Sequence, residues 1–208
     1  MQAALAELDP MQSLADVCCR DLPETAQRIL LSALQLFAER GFESVSVREI
    51  CAAAGVSKPV LYYHFESRDG VVRAVIEALE RGWHAHCDAD LDPTAPSRAA
   101  LVRFMTGLLE LAEGDGLIAR ILSRFASIPP GLLRSCAHPE RFESRMIDWL
   151  DRGVAAGAFP PRLDSQAVTW LLLGAFNRLA MLRAVFPTEE RAAVVAERLV
   201  RAALGPEE

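Results

Sequence analysis

Two helix starts lie eleven residues apart, at Ser46 and Ser57, with Gly55 between them. That spacing leaves room for little except two short helices joined by a tight turn. Ser46 followed by Glu49 is a capping box: the hydroxyl accepts the third helical amide and the carboxylate reaches back to the capping residue's own amide. The helix it opens places Val47, Ile50 and Ala54 on one face and stops at Gly55. Ser57 can cap the next helix, with Pro59 in the first turn, where a missing amide proton breaks no helical bond. Leu61 and Phe65, four residues apart, supply its buried pair. A longer helix precedes the two. Asp21, Pro23 and Glu24 form its start, and Ala26, Ile29, Leu30, Ala33 and Phe37 recur at helical spacing until Gly41. Ser67 opens a fourth helix, past Val71, Val75 and Leu79 to about Trp83, before Asp92, Pro93 and Pro96 mark a break.

Downstream the helical period persists over approximately Ser97–Ala112, Leu117–Ser127, Arg141–Ala155, Asp164–Val185 and Thr188–Leu204, with no alternating strand pattern. The expected class is therefore all-α: an N-terminal three-helix helix-turn-helix domain followed by a larger helical domain. Residues 1–20 are expected to be a flexible leader, 21–83 the first domain with its linking helix, and 84–208 the second. The apolar run Ala167–Phe176 is broken by Asn177 and Arg178 before it could span a bilayer, and the first residues carry Glu7, Asp9 and Asp16 rather than a basic cluster. A soluble, cytoplasmic chain with no membrane partner is expected. Its five cysteines are irregularly spaced, which suits reduced thiols. Cys18 and Cys19 are adjacent, but adjacency does not lower a thiol pKa, and Cys51 reads as a small buried residue.

A helix pair of this kind can project its second member into the major groove. With Leu61 and Phe65 inward, Lys58, Pro59, Val60, Tyr62, Tyr63 and His64 are left for the outer surface. A cation, hydroxyl donors and small apolar groups suit phosphate positioning with some base-edge contact. The net charge of -6 excludes a protein that coats nucleic acid non-specifically. Positive charge has to be local, and the window from Val47 to Arg73 has a small basic excess and holds Lys58, the chain's single lysine.

The block SVSVREICAAAGVSKPVLYYHFESRDGV, Ser44–Val71, resembles the TetR family of transcriptional regulators. The combination carries the resemblance: a hydroxyl residue before the second helix, the AAGVSK turn, LYYHF in the recognition helix, and a serine with a basic residue opening the fourth. By resemblance, the DNA-contacting positions are Val47 and Arg48, then Ser57, Lys58, Pro59, Val60, Tyr62, Tyr63 and His64, and finally Arg68. Lys58, Tyr62, Tyr63 and Arg68 look like phosphate clamps, whereas Arg48, Pro59 and Val60 suit base edges or thymine methyls. Plainer readings stand beside these: Arg48 as a solvated helix charge, Tyr63 packed on the first helix, and both serines as caps alone. Pro59 and Val60 depart from the family's common glycine and threonine, and Arg68 from its common lysine. Gly70 stands where a good helix former is usual, at about 1 kcal/mol of helix propensity.

The resemblance also implies double-stranded operator DNA as partner and a homodimer through approximately 164–185 and 188–204, hence a palindromic operator. Repression relieved by a small apolar or amphipathic ligand is the family's usual outcome. Phe104, Met105, Leu108, Ile121, Phe125, Trp149 and Trp170 are candidates to line the ligand's cavity, with Arg120, Arg124 and Asn177 to orient it. Ordinary core, or surface for the arginines, is the plainer alternative. His84, His86 and Cys87 are metal-capable, but their alternate spacing at a helix end is no closed site, so no metal or cofactor is expected. A di-iron bundle would need Glu and His pairs three apart, and no phosphate-cradling glycine loop or nucleophile motif is present. The chain is therefore not expected to be an enzyme. A helix-turn-helix used only for protein contacts is the competing reading, favoured by the nearly neutral charge of the segment.

Overall fold

The computed structural model describes residues 19, 22–113, 117–124, 128, 130–132, 139–183 and 190–205, and among these there is no β-strand. The chain divides into two compact units, residues 1–82 with 123–137 and residues 83–122 with 138–208. Residues 123–137, expected in the second domain, thus group with the first. Arg124 accounts for part of this, because its guanidinium donates to the Glu39 carbonyl at 3.4 Å.

In the first unit, α1 (Glu24–Arg40) packs against α2 (Val47–Ala54) and α3 (Lys58–Phe65), and these two pack on each other. The apolar residues expected on α1 are buried: Ala26, Ile29, Leu30, Ala33 and Phe37. Phe42 stacks on Phe37 with ring centroids 4.8 Å apart, which closes the end of α1 over the core. Ile50, Leu61, Phe65, Val71 and Val75 complete it. Each such side chain contributes about 1.5–3 kcal/mol by leaving water. The cap of α1 differs from expectation. Its capping position is Pro23, with no side-chain acceptor, and Asp21 lies outside the described residues. Gln27 donates its side-chain amide to the Leu22 carbonyl at 2.8 Å, which ties the entry of the chain to the helix but gives the first-turn amides no acceptor. Of the leader, Cys19 is described and is buried, its carbonyl accepting the Leu22 amide at 2.9 Å.

The fourth helix, α4 (Arg68–Asp90), runs well past the expected stop at Trp83. Cys87 and Leu91 are buried and continue its apolar face, so the chain has no reason to break until Pro93. This one helix belongs to both units, which divide after Gly82.

The second unit contains α5 (Arg98–Glu113), most of α6 (Leu117–Arg124), α7 (Pro139–Ala155), α8 (Ser165–Arg183) and α9 (Ala192–Leu204). Helix α5 packs against α8 and α9, and α8 also packs against α7 and α9. Leu101, Phe104, Met105, Leu109, Met146, Leu150, Leu172, Ala180, Ala196 and Val200 are almost wholly inaccessible and form the middle of this core. Polar bonds also tie its elements together. Arg98 donates to the Gly205 carbonyl at 2.7 Å, joining the start of α5 to the end of α9. The Trp149 indole donates to the Asp92 carbonyl at 2.8 Å. The expected ends near Ser127, Val185 and Thr188 lie outside the described residues. No described helix is long and apolar enough to cross a membrane.

Candidate nucleic-acid interface

The start of α2 is fixed by the capping box its sequence encodes. Ser46 Oγ accepts the Glu49 amide at 3.4 Å, while Glu49 Oε2 accepts the Ser46 amide at 2.9 Å and its hydroxyl at 2.7 Å. Arg40 adds what the sequence did not announce. It lies 2.7 Å from Glu49 and also donates to the Ser44 carbonyl at 3.3 Å, so the end of α1 is tied to the start of α2. No local periodicity relates Arg40 to Glu49; the contact exists only once Gly41 turns the chain.

These bonds hold the Glu49 carboxyl well below its usual 4.5, at about 2, chiefly through the Ser46 hydroxyl and amide and then through Arg40. A carboxyl with a depressed folded pKa stabilises the fold above its unfolded value and loses that contribution as pH falls through the folded one. The melting-temperature difference between the native protein and Glu49→Gln is therefore expected to be full above pH 4.5 and to shrink towards pH 2. A difference constant across that range would refute the role given to this carboxylate.

Helix α2 ends at Gly55, whose φ of 64° and ψ of 36° lie in the left-handed region that side-chain-bearing residues rarely adopt. The chain then leads through Val56 and Ser57 into α3. Ser57 occupies the capping position, but its hydroxyl makes no capping bond, contrary to the sequence expectation; only its carbonyl accepts, from Val60 at 3.1 Å and Leu61 at 3.2 Å. Ser57 itself is exposed.

Burial of Leu61 and Phe65 turns the rest of α3 outward. Lys58 and Pro59 are exposed, Tyr62 is 45% exposed and Tyr63 83%. Val60 and His64 are half-buried, the His64 ring meeting Tyr63 edge-on with centroids 5.1 Å apart. On α2, Arg48 is exposed and Val47 half-buried. The packing of Tyr63 on α1 that the sequence left open does not occur. Nine of the ten expected contact residues thus stand on α2, α3 or the turn between them.

The tenth, Arg68, is placed differently from the phosphate clamp expected of it. Its side chain is 29% exposed, and Nε donates to the Val45 carbonyl at 2.8 Å, just before α2. Between α3 and α4 the chain makes a very tight turn. Glu66 has φ 61° and ψ -39°, and the Ser67 amide donates back to the Phe65 carbonyl at 2.6 Å, a γ-turn of the rare, strained hand. Ser67 Oγ accepts the Gly70 amide at 2.9 Å, and a Cβ on Gly70 would fall 1.8 Å from the Phe65 oxygen.

The expected ligand-lining residues separate. Phe104, Met105, Leu108 and Trp149 are in the core of the second unit, and Ile121 is buried. Arg120 is half-buried and Phe125 lies outside the described residues. Three face outward instead. Arg124 holds the Glu39 carbonyl, Asn177 is exposed, and Trp170 is 55% exposed with its indole donating to Glu143 at 2.9 Å. Helix α8 is apolar nearly all round, so its sequence could not say which aromatic turned inward. Trp149 also borders an open cleft of about 230 Å³, with Cys87, Asp88, Leu91, Arg145 and Arg152. Burial pushes the Cys87 thiol up to about 12, so it stays protonated and unreactive. The metal-capable trio diverges: His86 stacks on Phe104 and meets its carbonyl, His84 meets Arg145, and Cys87 is buried. Among the described residues no group of three metal-ligating side chains converges.

Residues 29–75 match the family described as bacterial regulatory proteins, tetR family. Over 52 residues the chain is 40% identical to the transcriptional regulator UidR of Escherichia coli K12, a match covering 25% of this chain and 26% of UidR. It therefore spans about a quarter of that relative's length. Over 103 residues it is 41% identical to the transcriptional activator FasR of Mycolicibacterium smegmatis, covering 49% of this chain and 47% of FasR. Among solved structures, the regulator PfmR of Thermus thermophilus superposes with a TM-score of 0.69 at 28% identity, covering 90% of this chain and 99% of that one.

Proposed function

We propose that this chain, whose residues 29–75 match the tetR family of bacterial regulatory proteins, is a dimeric, ligand-responsive regulator of that family whose α2–α3 pair reads operator DNA. One observation carries the reading. The chain's two tyrosines, Tyr62 and Tyr63, stand exposed beside its single lysine on a helix whose apolar residues are buried. Large hydroxyl-bearing rings and an ammonium on one exposed helix face, with the exposed Arg48 on the neighbouring helix, suit a phosphate backbone. Residues 21–83 form the reading domain in this proposal, and residues 84–208 the sensing and dimerising one. The protein acts by binding and carries out no catalytic step.

Dimerisation is supported by the outer face of α8. Trp170, Leu171 and Met181 are exposed there, with Gly174 open between them, and Val194 is exposed on the adjoining α9. Exposed apolar groups gathered on packed helices favour a partner surface. A two-fold partner would set two recognition helices on successive major grooves, so the operator is an imperfect palindrome. The effector is a small apolar or amphipathic molecule bound among the helices of the second domain, acting through its different affinities for two states. Binding releases a repressor from its operator. Activation is the second reading, favoured by the identity with FasR, a named activator.

Selection from a random duplex pool by the purified protein tests the proposal. A palindrome should emerge and bind with an affinity that falls steeply with salt, and Lys58→Ala and Tyr63→Ala should each weaken it about tenfold or more while leaving the dimer intact. No enrichment would leave the protein-contact reading. Transcription from a promoter overlapping the selected site separates repression from activation.

A further inference from the structure

We propose that Arg68 is a positioning residue that fixes the start of α2 to the start of α4, and that it does not contact phosphate. The inference rests on the DNA-reading proposal above, because what it positions is the reading surface.

A phosphate clamp presents its guanidinium fork to solvent, where two parallel donors can meet two oxygens. The Arg68 fork is turned inward. Nε is engaged by the Val45 carbonyl at 2.8 Å. Nη2 has no exposed surface and no acceptor among the described residues. Nη1 faces Asp69 at 3.6 Å, an acid from its own helix that would repel a phosphate.

The bonded carbonyl lies in a sensitive place. Val45, itself buried, precedes the capping residue of α2, and Val47 and Arg48 follow immediately. Two guanidiniums hold successive carbonyls of the connection: Arg40 of α1 takes that of Ser44 and Arg68 of α4 takes that of Val45. Arg68 is also bound closely to α3. It follows the γ-turn at Glu66, with the Gly70 backbone packed under the Phe65 carbonyl. One side chain thus links the end of α3 to the beginning of α2, and with it the mutual angle of the two helices that would meet DNA. Lysine reaches a carbonyl with a rotating ammonium and lacks the planar group that sets this direction, so the two are not equivalent here.

The test compares the native protein with Arg68→Lys and Arg68→Gln, using the duplex selected by the native protein and an unrelated duplex of equal length. Folding and dimerisation are checked by thermal melts and sedimentation. Positioning requires both variants to lose about tenfold or more in affinity for the selected duplex. It also requires unchanged affinity for the unrelated one and an unchanged slope of log K against log salt. A phosphate contact behaves oppositely: Arg68→Lys restores binding, and Arg68→Gln lowers the slope by about 0.9 per contact on both duplexes. That result overturns the proposal, as do unaltered affinity in both variants and loss of the fold in both. Failure of the native protein to select any duplex would instead refute the DNA-reading proposal.

Discussion

Gly70→Ala is expected to destabilise this protein by about 2 kcal/mol, although it replaces a poor helix former by the best one. Helix propensity alone forecasts a gain of about 1 kcal/mol. The new methyl carbon would sit 1.8 Å from the Phe65 carbonyl oxygen, where no rotamer can relieve the overlap because a Cβ is placed by its own backbone and the oxygen belongs to the backbone of α3. Either α4 moves off the end of α3 or the γ-turn at Glu66 opens. The melting temperature should fall by roughly 4–8 °C for a chain of this size, and affinity for the selected duplex should fall with it. An unchanged or raised melting temperature would mean that the turn has slack it does not display.

Leu171→Asp is expected to act in the second unit and more severely on function. Leu171 is 52% exposed in the isolated chain, so the substitution costs the folded protomer little. In the proposed dimer the same carboxylate would be buried against apolar groups without a partner, at several kcal/mol. Sedimentation should find a monomer with an unchanged melting profile at low concentration. Its affinity for the palindromic duplex should fall about 100-fold or more, since about 1.4 kcal/mol is tenfold and two half-sites must now be bound separately. A dimer that survives the change would move the interface off this face of α8.

How much was legible in the sequence follows from how local each signal is. The Ser46–Glu49 box and the Gly55 stop are contained within ten residues, and the structure places both where the sequence put them. The outward set on α3 was equally readable, because two buried positions four apart determine the rest of an eight-residue helix. Arg68 was not. Its partner is 23 residues away, and a basic residue at a helix start looks the same whether it faces solvent or a carbonyl. Gly70 looked like a defect for the same reason, since the obstruction comes from the preceding helix. Trp170, a candidate to line the cavity, lies on a helix with apolar residues on every face, where periodicity offers no contrast between core and surface. Arg40 went unnoticed because an arginine closing a helix is explained well enough by the helix dipole.

Lys58 is the chain's single lysine and stands exposed at the first position of α3. An amine-selective reagent therefore has one side chain to address, at the surface proposed to meet DNA. Isotope-labelled lysine would give one side-chain signal, a built-in reporter of occupancy that needs no engineered tag. The same singularity is a liability: acylating one ε-amine removes the only ammonium side chain the protein has, and no second lysine can take over its part.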